Sequence, residues 1–168
     1  EADFRYIDEL PGHKLILKGN HDLWWSTRSK LDAFFRAHDF STITIIHNSA
    51  ERVGDFSVCG SRGWLYNAQT EEDLKIVRRE VGRLKTSLEA GVQLGGKLLA
   101  FLHYPPVYDS ERCQEILDVL EDYHVQDCYF GHIHGNQAAK RAVKGEYHGI
   151  RMHLISCDHL SFTPYEIQ

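Results

Sequence analysis

Apolar residues along the chain switch repeatedly between helical and strand spacing. Phe4, Ile7 and Leu10 step by three and predict a helix over residues 2–10, stopped by Pro11-Gly12. Leu15-Ile16-Leu17 is a short apolar run of the kind found in buried strands, and it ends in the polar loop Gly19-Asn20-His21-Asp22. Leu31, Phe34 and Phe35 predict a helix over 29–37, and residues 42–46 and 56–59 read as strands. Leu74, Val77, Val81, Leu84, Leu88 and Val92 form one stripe, predicting a long helix over 70–94. Thr70 suits its N-cap, Glu71, Glu72 and Asp73 suit the positive end of its dipole, and Gly95-Gly96 closes it. Leu98–Leu102 is a strand running into His103-Tyr104-Pro105-Pro106. Residues 110–123 predict a helix with Cys113, Ile116, Leu117 and Leu120 inward. Cys128-Tyr129-Phe130 is a strand ending in Gly131-His132-Ile133-His134-Gly135, and residues 141–157 read as two strands joined near His148-Gly149.

Strands alternating with helices make the class α/β, and the lack of a repeat or linker makes it one domain. In such sheets, sites gather at the carboxyl ends of strands. Three of the predicted strands end there in a histidine-bearing loop.

Composition narrows the function. With 168 residues the chain can bury one sizeable core. Its 42% apolar and 26% charged residues are ordinary for a globular protein. No apolar run approaches the ~20 residues that cross a bilayer, and the N-terminus has no signal-peptide pattern. No membrane partner and a cytoplasmic location are therefore expected. A net charge of −5 without a basic stripe disfavours nucleic acid. The four cysteines, Cys59, Cys113, Cys128 and Cys157, contain no C-x-x-C pair and read as reduced, buried thiols rather than a zinc cluster. Oligomeric state cannot be read from these features.

The three loops carry the chemistry. Neutral imidazoles and an amide oxygen suit divalent Mn, Fe, Ni or Zn. In an extended segment His132 and His134 would point into one cavity; in an irregular loop they would approach two neighbouring metals. Arg62, in a Gly-flanked turn after a strand, could hold a phosphate through two hydrogen bonds or form a surface ion pair. Trp24 and Trp25 could wall the site but better suit packing at the core or rim, and Asp158 and His159 could orient a ligand histidine. His13, His38, His47, His124, His148 and His153 match no signature.

G-N-H-D at 19–22, a lone histidine after a strand at His103, and G-H-x-H at 131–134 resemble, in that order, the last three signature blocks of the calcineurin-like metallophosphoesterases. Residues 18–25, Gly60–Trp64, Leu102–Pro106 and Ser156–Asp158 are similar to a bacterial branch of small soluble phosphohydrolases. The resemblance implies two packed mixed sheets flanked by helices. It also implies two divalent cations, Mn, Fe, Zn or Ni, clamping a phosphoryl group around a bridging hydroxide. Asn20, His103 and His132 would bind one cation and His134 the other. His21 would stabilise charge on the scissile phosphate and protonate the leaving oxygen. The substrate would be a small phosphate ester.

Two earlier blocks of that family, D-x-H and G-D-x-x-D, do not occur ahead of Gly19, where the family carries them. Asp22 follows His21 within its own loop and cannot supply the carboxylate that bridges the metals. The only methionine is Met152, and the chain opens at Glu1. Together these lead us to expect the C-terminal part of a phosphoesterase, short of roughly 60 residues if each strand–helix unit takes ~30. The 168 residues by themselves are then expected to be inactive, to bind at most one metal weakly and to expose an unpaired strand edge. Alternatives are a truncated pseudoenzyme acting as a binding module, and a DNA-repair-type nuclease of the same superfamily.

Overall fold

A computed structural model describes residues 1–22, 26–64 and 70–167. The N-terminal quarter forms a small unit with its own core. Helix α1 (Ala2–Glu9), strand β1 (Lys14–Leu17), helix α2 (Arg28–Ala37) and strand β2 (Ile43–Ile46) follow in order. β1 and β2 pair in parallel, Lys14 opposite Ile43 and Leu17 opposite Ile46, with α2 as the crossover. Thr27 caps α2 by accepting the Lys30 N–H. Leu31, Phe35, Phe40, Ile43 and Ile45 are buried together, with Phe4, Ile7, Ile16 and Phe34 packed against them. The Phe4 and Phe35 rings meet edge to face at 4.9 Å. Each ring withdrawn from water contributes about 2–3 kcal/mol, which gives this short unit a reason to hold.

The rest of the chain builds a six-stranded sheet. The elements of this region are β3 (Glu51–Val53), β4 (Phe56–Ser61), α3 (Glu71–Leu94), β5 (Lys97–Leu102), β6 (Val107–Tyr108), β7 (Glu111–Arg112), α4 (Gln114–Asp122), β8 (Asp127–Phe130), α5 (Asn136–Arg141), β9 (Gly145–Tyr147) and β10 (Ile150–Leu154), of which β6 and β7 form a two-stranded sheet of their own. The strand order is β3-β4-β5-β8-β10-β9. The four central strands are parallel, and the outer strands β3 and β9 run antiparallel to their neighbours. Leu84 and Leu88 of α3 and Ile116, Leu117 and Leu120 of α4 bury their apolar stripes in the same core as Cys59, Ala100, Cys128 and Met152 of the strands. On the opposite face Phe101, Tyr129 and His153 stack across three neighbouring strands, with Tyr165 beside them.

The fold is α/β, with a mixed sheet flanked by helices, as the alternation predicts. The second sheet differs from expectation: it has two strands and is purely parallel. β1 has β2 as its only ladder partner among the described residues, and all four of its residues are half-buried. The helix expected over 110–123 begins only at Gln114, because Asp109 takes φ +56° and folds Glu111–Arg112 back onto Val107–Tyr108. Arg141, expected at the start of a strand, closes the short helix α5. No described helix is long and apolar enough to cross a membrane.

At the start of α3 the capping box is complete. Thr70 accepts the Asp73 N–H at 3.1 Å and Asp73 accepts the Thr70 N–H at 3.2 Å. Thr70→Ala is expected to cost about 1 kcal/mol, read as a lowered urea midpoint with an unchanged slope.

Candidate metal centre

Each of the three chemical loops leaves the carboxyl end of a parallel strand: β1, β5 and β8. They converge. Asn20 Oδ1 lies 2.6 Å from His103 Nε2, and His132 Nδ1 lies 3.2 Å from the same nitrogen. A proton on His103 Nε2 can serve the Asn20 oxygen; with the proton on Nδ1 instead and His132 Nδ1 bare, the three atoms offer lone pairs to a single spot. That is the donor set a divalent cation takes up.

The backbone is shaped to bring them together. A β-carbon at Gly19 would stand 3.1 Å from His103 Cε1, so any other residue would push the imidazole aside by a few tenths of an ångström. Asp22 accepts the Gly19 N–H at 2.6 Å and ties the loop to itself, which leaves it a loop-holding residue. At His132 the Ile133 N–H bonds the Gly131 carbonyl at 2.8 Å while His132 takes φ +67°. This is a γ-turn with a non-glycine residue at its centre, a strained conformation that costs about 1–3 kcal/mol. Tyr104 packs against His132 with ring centroids 4.4 Å apart, and its backbone N–H is held by the Arg62 carbonyl at 2.9 Å.

Burial, and after it the charge of His132, pushes the His103 imidazole down to about 4. Burial and His134 lower His132 as well. Both rings are therefore neutral near pH 7, the form a metal ligand needs.

The turn at His132 sends the two histidines of the last loop in different directions. His134 Nδ1 lies 3.0 Å from Asp158 Oδ1, and Asp158 Oδ2 accepts the Gly135 N–H at 2.7 Å. Cys157 completes this second group: donor atoms of His134, Cys157 and Asp158 all lie within 4.8 Å of one another. Cys157 is exposed, so the expectation of four buried thiols is corrected here. It sits in the turns after β10, where the chain leaves the sheet and no helix covers it. The other three cysteines are buried, as expected.

His21 is exposed at the tip of its loop, near enough to lower His103 and His132 electrostatically. Arg62 also acts on His103, but its side chain is already engaged. Nη2 lies 3.5 Å from Glu80 Oε1, and the guanidinium sits 5.0 Å above the Trp64 ring. Glu80 is fully buried and pairs with Arg83 at 2.7 Å as well. Of the two readings of Arg62, the ion pair is present, though to a buried carboxylate rather than a surface one. Trp24 and Trp25 lie outside the described residues.

The structure thus brings Asn20, His103 and His132 together, sets His134 apart with Asp158 and Cys157, and places His21 and Arg62 at the margin. The sequence does not mark Glu80, and marks Cys157 only as part of the Ser156–Asp158 likeness. Glu80 reads as one more charged position of a long helix, and Cys157 stands 23 residues from His134. No family model matches the chain, and no curated protein or solved structure matches it either.

Proposed function

We propose that these loops form the site of a metal-dependent phosphoester hydrolase of the calcineurin-like kind, built on a two-sheet sandwich and acting on a small phosphate ester in the cytoplasm. The observation that carries the reading is the meeting of Asn20 Oδ1, His103 Nε2 and His132 Nδ1 at the ends of three strands. In this reading those three atoms hold one divalent cation, Mn, Fe, Zn or Ni, and His134 reaches a second. Bound cations supply Lewis-acid charge at the phosphoryl group and an activated water.

The chain's own residues do the rest. Neutral His103 and His132 present lone pairs at physiological pH. The γ-turn fixes His132 so that little reorganisation is needed on binding. His21, open to solvent beside them, donates a proton to the leaving oxygen. Arg62, held in direction by Glu80 and Trp64, adds positive charge for a phosphate oxygen.

The test is turnover of p-nitrophenyl phosphate and bis-p-nitrophenyl phosphate by the product of the complete reading frame. Activity is expected to vanish on chelation and return with added Mn²⁺. His21→Ala is expected to lower kcat by roughly 10²–10³ with metal content unchanged. A protein that binds metal stoichiometrically and cleaves neither ester overturns the reading and leaves a binding module in its place.

A further inference from the structure

We propose that His134, Cys157 and Asp158 together bind a divalent cation of the thiophilic kind, zinc, cobalt(II) or ferrous iron, through one nitrogen, one thiolate sulfur and one carboxylate oxygen. The proposal rests on the reading above only in identifying this cation with the one His134 was assigned; the ligand set is argued from the geometry alone.

Three donors of different chemistry converge from two loops. His134 arrives from the loop after β8, and Cys157 and Asp158 from the turns after β10, adjacent parallel strands of the main sheet. Their donor atoms lie within 4.8 Å of one another. The edges of a zinc tetrahedron built with Zn–N and Zn–O near 2.0 Å and Zn–S near 2.3 Å are roughly 3.3–3.6 Å long. The His134–Asp158 edge, at 3.0 Å, already fits within a few tenths. Cys157 Sγ, within 4.8 Å of the other two donors, is the corner left to close in.

The carboxylate is divided as a ligand needs. Oδ2 is held by the Gly135 N–H, which fixes the plane of the group and leaves Oδ1 for the cation. When the cation binds, the Cys157 thiol gives its proton to solvent. His134 carries its remaining proton on Nε2, so that Nδ1 coordinates. Three protein ligands leave the fourth corner open, the arrangement of catalytic rather than structural zinc sites. A thiolate in the set selects against manganese and magnesium.

The rival is a His134–Asp158 hydrogen bond that only orients the ring, with Cys157 a bystander. The two differ in the fate of one sulfur, and the chain makes that sulfur easy to follow. Cys59, Cys113 and Cys128 are buried, and burial raises their thiols to about 11, 11 and 12, so alkylation of the folded protein reads Cys157.

The experiment is iodoacetamide labelling, followed on the Cys157 peptide by mass spectrometry, with and without zinc, beside a cobalt(II) titration in the near ultraviolet. Nine-tenths occupancy by zinc is expected to slow labelling roughly tenfold, since only free thiolate reacts. Cobalt is expected to give a sulfur-to-metal charge-transfer band. Cys157→Ser, a change at an exposed position, removes that band, and Asp158→Asn lowers zinc protection. Labelling at the metal-free rate in zinc-saturated protein, with no cobalt–sulfur band, overturns the proposal. Neither readout needs turnover: protection of Cys157 without ester cleavage sinks only the hydrolase reading, and ester cleavage with Cys157 fully reactive at saturating zinc sinks only this one.

Discussion

Asp127→Asn is expected to lower the unfolding free energy by about 2–3 kcal/mol at pH 7. Asp127 opens β8 with a side chain only 5% exposed, and two cations and an imidazole close on it. Lys97 Nζ lies at 2.6 Å, Arg151 Nη2 at 2.7 Å and His153 Nε2 at 2.9 Å. They come from β5, β8's neighbour on one side, and β10, its neighbour on the other. The carboxylate therefore stitches the middle of the sheet. Removing its charge leaves cations facing one another around a buried amide; because Arg151 and Lys97 still reach solvent, the loss stays below that of a fully buried pair. The Arg151 hydrogen bond, followed by those from Lys97 and His153, holds the carboxyl far below its ordinary 3.8. A folded-state value below the unfolded one gives stability that is complete above about pH 4 and is lost as pH falls from there toward the folded value. The parent and Asp127→Asn proteins should therefore differ most near neutrality and converge toward about pH 2 in urea or thermal unfolding. A gap that persists undiminished in acid would show that packing, not charge, is responsible.

Gly60→Ala is expected to cost about 2–4 kcal/mol, and for a different reason. A β-carbon at residue 60 would stand 2.3 Å from the Phe101 carbonyl oxygen of the paired strand. Backbone cannot step aside as a flexible side chain can, so β4 and β5 must part locally. Gly82→Ala is the control: nothing lies within 4 Å of its added carbon, in the middle of α3. It is expected to stabilise by about 0.5–1 kcal/mol through helix propensity and a less flexible unfolded chain. The Gly60 change also reaches the candidate centre, because β5 delivers His103 and β4 delivers Arg62. Metal affinity should fall with stability in that variant and stay unchanged in Gly82→Ala, measurable by titration calorimetry.

The sequence was most legible where one signal repeats. The stripe from Leu74 to Val92 and the Thr70 cap located α3 to within a residue, and the apolar runs at 15–17 and 98–102 located β1 and β5. Loops that end strands in Gly or Pro marked where Asn20, His103 and His132 would meet, since parallel strands deliver their carboxyl ends to one rim. What escaped lacked repetition. The hairpin of β3 and β4 turns on Gly54 and Asp55 after only three residues of strand. The hairpin of β6 and β7 has two residues on each side, and Glu111 and Arg112 suit a helix start equally well. α5 is too short to show a period. The cations around Asp127 and the group at His134 are products of strand adjacency, which spacing along one chain does not encode.

The two cores have a consequence for how the centre behaves in time. Asn20 and His21 belong to the unit of residues 2–46, while His103 and His132 belong to the larger sheet. Far fewer buried side chains hold the smaller unit than hold the main sheet, so it is expected to open first. Each such opening would pull Asn20 Oδ1 away from His103 Nε2 and dismantle the donor set without unfolding anything around it. A cation gripped by both would act as a clasp between the units, and part of its binding free energy would appear as slowed amide exchange over residues 14–46.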